Sequence, residues 1–175
     1  MATPEPRLSV ADRNIVITGF MGTGKTTVGK QVAVRLGRRF VDTDALIAKR
    51  AGMSIARIFA EQGEPAFRAL EGALVRELAC LSRLVIATGG GTLVDAENRE
   101  RMLESSFVVC LQAAPETIAA RLRQNNNRPL AANWQQLLEA RAPAYAAIPE
   151  QIDTEGKTAD QVAEEIIERW RRTFA

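Results

Sequence analysis

Gly19-Phe20-Met21-Gly22-Thr23-Gly24-Lys25-Thr26 fits the glycine-rich phosphate cradle G-x-x-x-x-G-K-S/T, and it stands directly after the apolar run Ile15-Val16-Ile17. That run is short and β-branched like a buried strand, and Val28, Val32 and Leu36 recur at helical spacing after the loop. Strand, loop and helix are the context the motif requires, so the stretch points to a nucleoside triphosphate. Glycines let successive backbone N–H groups turn toward anionic oxygens, and the helix N-terminus adds partial positive charge. Gly22, Thr23, Gly24 and Thr27 belong to this nucleotide-binding set. Lys25 is placed to reach the β- and γ-phosphates, and Thr26 to offer its hydroxyl to a magnesium ion bridging them. The chain has only four lysines, Lys25, Lys30, Lys49 and Lys157, against nineteen arginines. Lys25 is therefore no random member of a lysine-rich surface.

The 175 residues, 46% of them hydrophobic, suffice for one well-formed core and are few for two ordinary domains. A net charge of +2 gives no global field of the kind nucleic-acid binding uses, and no apolar run approaches the roughly twenty residues that span a bilayer. Met1 to Arg13 carries prolines and charges where a signal peptide has its apolar core, so the chain reads as cytoplasmic and reduced. With no histidine present, any general base must be a carboxylate. Cys80 and Cys110 have no metal-type spacing and are expected to be small core side chains.

Short apolar strands alternate with helical patterns along the rest of the chain. After the first helix come Phe40-Val41, a helical pattern over 45–60, a second over 64–80 and the strand Leu84-Val85-Ile86-Ala87 ended by Gly89-Gly90-Gly91. A helix over 95–103, a strand over 107–111, helices over 115–123 and 133–141, a strand near Ile152 and a helix from Thr158 follow. Such alternation predicts an α/β fold with a parallel sheet covered on both faces and ligand sites at the carboxyl ends of its strands. Gln124-Asn125-Asn126-Asn127 reads as a mobile polar loop between two helices.

Asp42 and Asp44 follow the second strand, and the first helix followed by that returning strand brings both back toward the phosphate loop. One carboxylate would hold magnesium through water while the other takes a proton from a substrate hydroxyl; alternatively Asp44 caps the next helix. Arg68, flanked by Glu64 and Glu71 at helical spacing, reads by itself as a solvated ion pair, and Arg128 and Arg141 read by themselves as surface arginines. Gly89 to Gly91 is either a plain turn or a row of N–H groups for a small polar ligand.

The phosphate loop, Asp42-Thr43-Asp44, Ile58-Phe59 through Glu64-Pro65-Ala66-Phe67-Arg68, the triple glycine, Arg128-Pro129-Leu130 and Arg141-Ala142-Pro143-Ala144-Tyr145 together resemble shikimate kinase, in that family's order, from Asn14 to about Ile167. The resemblance implies a three-layer P-loop kinase fold with a five-stranded parallel sheet, similar to nucleoside monophosphate kinases. It implies transfer of the ATP γ-phosphate to the 3-hydroxyl of shikimate, with ATP and Mg2+ required. Asp42 would then be the water-mediated magnesium partner of Thr26, and Asp44 would orient and deprotonate the reacting hydroxyl. Arg68 and Arg141 would hold the shikimate carboxylate, Phe59 and Phe67 would wall the ring, and Gly89, Gly90 and Gly91 would line the pocket. Arg128 would be the catalytic arginine of a lid around 124–133 and Arg121 the adenine-stacking one. Ala131 and Ala144 depart from the family's usual leucines. Residues 1–13 lie before the match and are expected to be a flexible extension to a single domain over 14–175, here taken as a monomer. A gluconate kinase of the same loop class and a ligand sensor without turnover are the rival readings.

Overall fold

The computed structural model describes residues 10–124 and 133–173. Five strands, β1 (Asn14–Gly19), β2 (Arg39–Asp42), β3 (Leu84–Ala87), β4 (Ser106–Gln112) and β5 (Glu150–Asp153), form one parallel sheet in the order β2-β3-β1-β4-β5. Every residue of β1 is buried. Its side chains alternate between two cores, as the two-residue strand period requires. Ile15 and Ile17 face one layer with Val28, Val85, Val109 and Ile166, while Val16 faces the other with Ile86, Val108, Leu74 and Phe67. The first layer is covered by α1 (Lys25–Leu36) and α8 (Ala159–Thr173). On the opposite side lie α2 (Thr43–Ala51), α3 (Ile55–Gln62), α4 (Glu64–Ala79) and α5 (Ala96–Ser105), with α6 (Pro115–Gln124) and α7 (Trp134–Ala146) following β4. Helices on both faces explain why the strands read as continuous apolar runs rather than alternating ones.

Three expectations change. The helical pattern over 45–60 is two helices. Gly52 closes α2 in the left-handed region at φ 65°, and the Ser54 hydroxyl accepts from the Arg57 N–H at 3.2 Å to start α3. The helix expected to end at Arg141 runs on to Ala146 with Pro143 inside it, and buried Tyr145 anchors its last turn by donating to the Gly90 carbonyl at 2.7 Å. Cys110 is buried as expected, but Cys80 is exposed at the capping position after the last turn of α4, its thiol donating back to the Arg76 carbonyl.

Burial raises the Cys110 thiol to about 12, opposed by the Lys25 charge. Thiolate is the reactive form. A thiol reagent at pH 8 is therefore expected to modify one cysteine of the native protein promptly, Cys80, and the second only after denaturation. Two equally fast thiols would contradict the burial of Cys110.

Candidate active site

Three strand ends are stitched together at the carboxyl edge of the sheet. The Thr88 hydroxyl donates to that of Thr18 at 2.9 Å, and the Gly89 N–H donates to the buried Thr43 hydroxyl at 2.9 Å. The loop after β1, the turn after β2 and the glycines after β3 are thereby drawn around one cleft of about 400 Å3.

The phosphate loop turns through left-handed glycines at Gly22 (φ 81°) and Gly24 (φ 93°), where a Cβ would be strained. No side chain caps the N-terminus of α1, so its first N–H groups face the cleft unclaimed by a cap. Thr23 closes the loop on itself by donating its hydroxyl to the Phe20 carbonyl at 2.7 Å. Lys25, 9% exposed, donates to the same carbonyl at 2.9 Å. Gly22, Gly24, Lys25, Thr26 and Thr27 line the cleft, while Thr23 lies behind the loop.

The turn 42–44 divides its contacts by residue. Asp42 accepts from the Thr26 hydroxyl at 2.9 Å through Oδ2 and from the Ala45 N–H at 3.1 Å through Oδ1. The helix cap considered for Asp44 therefore belongs to Asp42, which leads α2. Asp44 faces the cleft instead, so close to Gly89 that a Cβ there would strike its carboxylate. A Cβ on Gly90 would lie 3.0 Å from Arg141 Nη1, and one on Gly91 2.5 Å from Arg68 Nη1. The three glycines are small because a carboxylate and two guanidinium groups approach them. Phe59 and Phe67 meet at 4.8 Å between ring centroids and form an apolar wall of the same cleft. Arg121 stands outside it: its Nη1 donates to the Gly22 carbonyl at 3.0 Å, and it lines a neighbouring groove of about 240 Å3 with Thr27, Thr154 and Lys157. Arg128 and most of the expected lid around 124–133 lie outside the described residues, as do residues 1–9.

The shikimate kinase family model matches residues 21–171. The chain belongs to the shikimate kinase family. A shikimate kinase of Geobacter sulfurreducens is 48% identical over 160 residues, covering 88% of each chain. The structure of a shikimate kinase from Acinetobacter baumannii in complex with shikimate is 36% identical with a TM-score of 0.85, covering 92% of this chain and 94% of that one. A gluconokinase from Sinorhizobium meliloti, 19% identical with a TM-score of 0.65 over 93% of each chain, shares the fold alone. The P-loop kinase fold thus extends beyond the shikimate kinases, and substrate choice has to be argued from the site.

One supporting layer of the site has little local signal. Glu71, expected only as a helix-face partner, is buried. Its Oε2 accepts from Arg68 Nη1 at 2.5 Å and its Oε1 from the Thr92 hydroxyl at 2.6 Å, while the Thr92 carbonyl accepts from Asn98 Nδ2 at 3.1 Å. Burial works against the Arg68 charge, but the hydrogen bond and charge of Glu71, with those of Glu64, outweigh it and hold the guanidinium above its ordinary value. A buried carboxylate with both oxygens occupied fixes the guanidinium it holds. A Glu three residues after an Arg is all the sequence offers here; Thr92 comes from another element. Thr92→Val leaves one Glu71 oxygen buried without its donor and is expected to cost about 1–3 kcal/mol of stability. It should also raise KM for the acceptor while KM for ATP stays at the parent value; equal rises in both would show that Thr92 does not act through Arg68.

Proposed function

We infer that the chain transfers the γ-phosphate of ATP to the 3-hydroxyl of shikimate, giving shikimate 3-phosphate and ADP in aromatic amino-acid biosynthesis. The observation that carries this reading is the approach of Arg68 and Arg141 to the consecutive glycines Gly91 and Gly90, in the cleft that also holds Asp44 and the phosphate loop. Two guanidinium forks suit a planar carboxylate, and a hydroxylated ring seated between them and the Phe59–Phe67 wall would face Asp44. The hydroxyl oxygen would attack the γ-phosphorus, the bond to the bridging oxygen of ADP would break, and Asp44 would accept the hydroxyl proton.

Lys25, now folded onto the Phe20 carbonyl, would turn to the β- and γ-phosphates beside the N–H groups of Gly22, Thr23, Gly24, Thr26 and Thr27. Thr26 and Asp42, 2.9 Å apart, are a hard oxygen pair that fits a magnesium ion keeping most of its waters, Thr26 directly and Asp42 through water. Magnesium would neutralise charge on the transferring phosphoryl group. The groove lined by Arg121 lies beyond the loop where the adenine would extend, giving that guanidinium a flat ring to stack on. Arg128 keeps the lid role that the resemblance implies, closing over ATP so that water is kept from the phosphoryl group. No helix among the described residues is long and apolar enough to cross a membrane. We propose that the chain works as a monomer in the cytoplasm.

ADP release with ATP and magnesium is expected with shikimate, and neither with gluconate nor without acceptor, and to be lost in Lys25→Ala. Turnover on gluconate alone would reassign the pocket, and shikimate binding without turnover would make the chain a sensor. Asp44→Asn should lower kcat by about 10²–10⁴ with shikimate affinity largely kept; a rate within a few-fold of the parent would remove the proton-acceptor role. Arg141→Ala should raise KM for shikimate about ten-fold or more, the size of a lost charged hydrogen bond, and an unchanged KM would remove it from the carboxylate clamp.

A further inference from the structure

Arg68 is gripped by two carboxylates that differ in how easily each can leave. Glu71 is buried, its side chain 2% exposed, and both its oxygens are occupied. Glu64 is at the start of α4, its side chain 61% exposed, and one oxygen, Oε1, accepts from Arg68 Nε at 3.2 Å and from Nη2 at 3.0 Å. The Nε/Nη2 side of a guanidinium is one of the edges that presents two parallel N–H groups to a carboxylate. In this structure that edge is already taken, by a group of the protein itself.

The local charges favour the same exchange. Arg68 alone already faces two carboxylates, Glu64 and Glu71, so a substrate carboxylate arriving at the same guanidinium would be a third negative charge on it. Releasing Glu71 would strand a charge in the interior, whereas Glu64 swings into water at little cost.

We propose that Glu64 is an internal competitor: its carboxylate occupies the Arg68 fork until the carboxylate of the acceptor displaces it. The proposal rests on the Arg68 carboxylate clamp inferred above. Glu64 then keeps Arg68 pointed into the cleft between turnovers and weakens every ligand that needs that fork. An acceptor without a carboxylate has nothing with which to displace it.

The test is calorimetric titration of the full chain with shikimate and with its uncharged methyl ester, beside steady-state kinetics, for the parent, Glu64→Gln and Arg68→Ala. Glu64→Gln should bind shikimate about two- to five-fold more tightly, the range of an exposed ion pair, and lower KM for shikimate equally. Its kcat and KM for ATP should stay at parent values, and its affinity for the ester should not change. A merely structural role for Glu64 predicts the opposite sign, or none. Unchanged or weaker shikimate binding by Glu64→Gln, with binding lost in Arg68→Ala, overturns the competitor and leaves the clamp standing. An equal gain for the ester overturns competition between carboxylates as the cause. Parent-like shikimate binding by Arg68→Ala overturns the clamp itself.

Discussion

Burial of β1 on both faces and both edges is the constraint from which the site follows. With β3 on one side and β4 on the other, each pairing parallel in fixed register, β1 is paired along both edges and its apolar side chains enter two cores. A slip by one residue would exchange the two faces and bring the loop out of alignment with its neighbours. The carboxyl end of β1 therefore comes level with those of β2 and β3, where Thr18–Thr88 and Thr43–Gly89 lock the ends together. Chemistry at the rim depends on this rigid edge, because groups that must meet a phosphate and a hydroxyl at once tolerate little misplacement.

Upon that edge the chain places charge in graded layers. Residues 42 to 44 each make a different contact. Asp42 caps α2 and holds Thr26, Thr43 ties down Gly89, and Asp44 faces the cleft. Arg68 is set by a buried glutamate, which is in turn set by a buried threonine. Arginine suits this arrangement because its planar fork can engage one carboxylate while presenting other N–H groups elsewhere, which a lysine ammonium on a flexible stem does less well. Tyr145 joins the same layer: burial raises its hydroxyl to about 12 against the opposing charge of Arg141, so it remains a neutral donor to the Gly90 carbonyl.

Much of what rests on local pattern is legible in the sequence. The phosphate loop and the order of strands and helices are carried by glycine spacing and apolar period, whereas the places of Arg68, Arg141 and the three glycines in the cleft follow only from the resemblance in motif order, since by themselves they read as surface charges and a turn. Gly52 and Ser54 were present as ordinary stop and start signals, yet the apolar period ran through them and hid the break between α2 and α3. The helix expected to end at Arg141 runs on past Pro143, and Tyr145 in its last turn is anchored on the glycines after another strand. Cys80, expected in the core, is exposed at the capping position one residue beyond α4.

The sequence by itself determined that this protein has a parallel, doubly covered sheet, a phosphate-binding loop and the side chains of a shikimate kinase. These depend on patterns spanning a few residues, which a linear reading can follow. Only the tertiary structure decided which aspartate caps the helix, that the triple glycine is small because Asp44, Arg141 and Arg68 press against it, and that Arg68 stands between a buried and an exposed carboxylate. Those outcomes depend on burial and on distances between residues far apart in the chain, as Glu71 and Thr92 are, and both exist only once the helices have packed on the sheet.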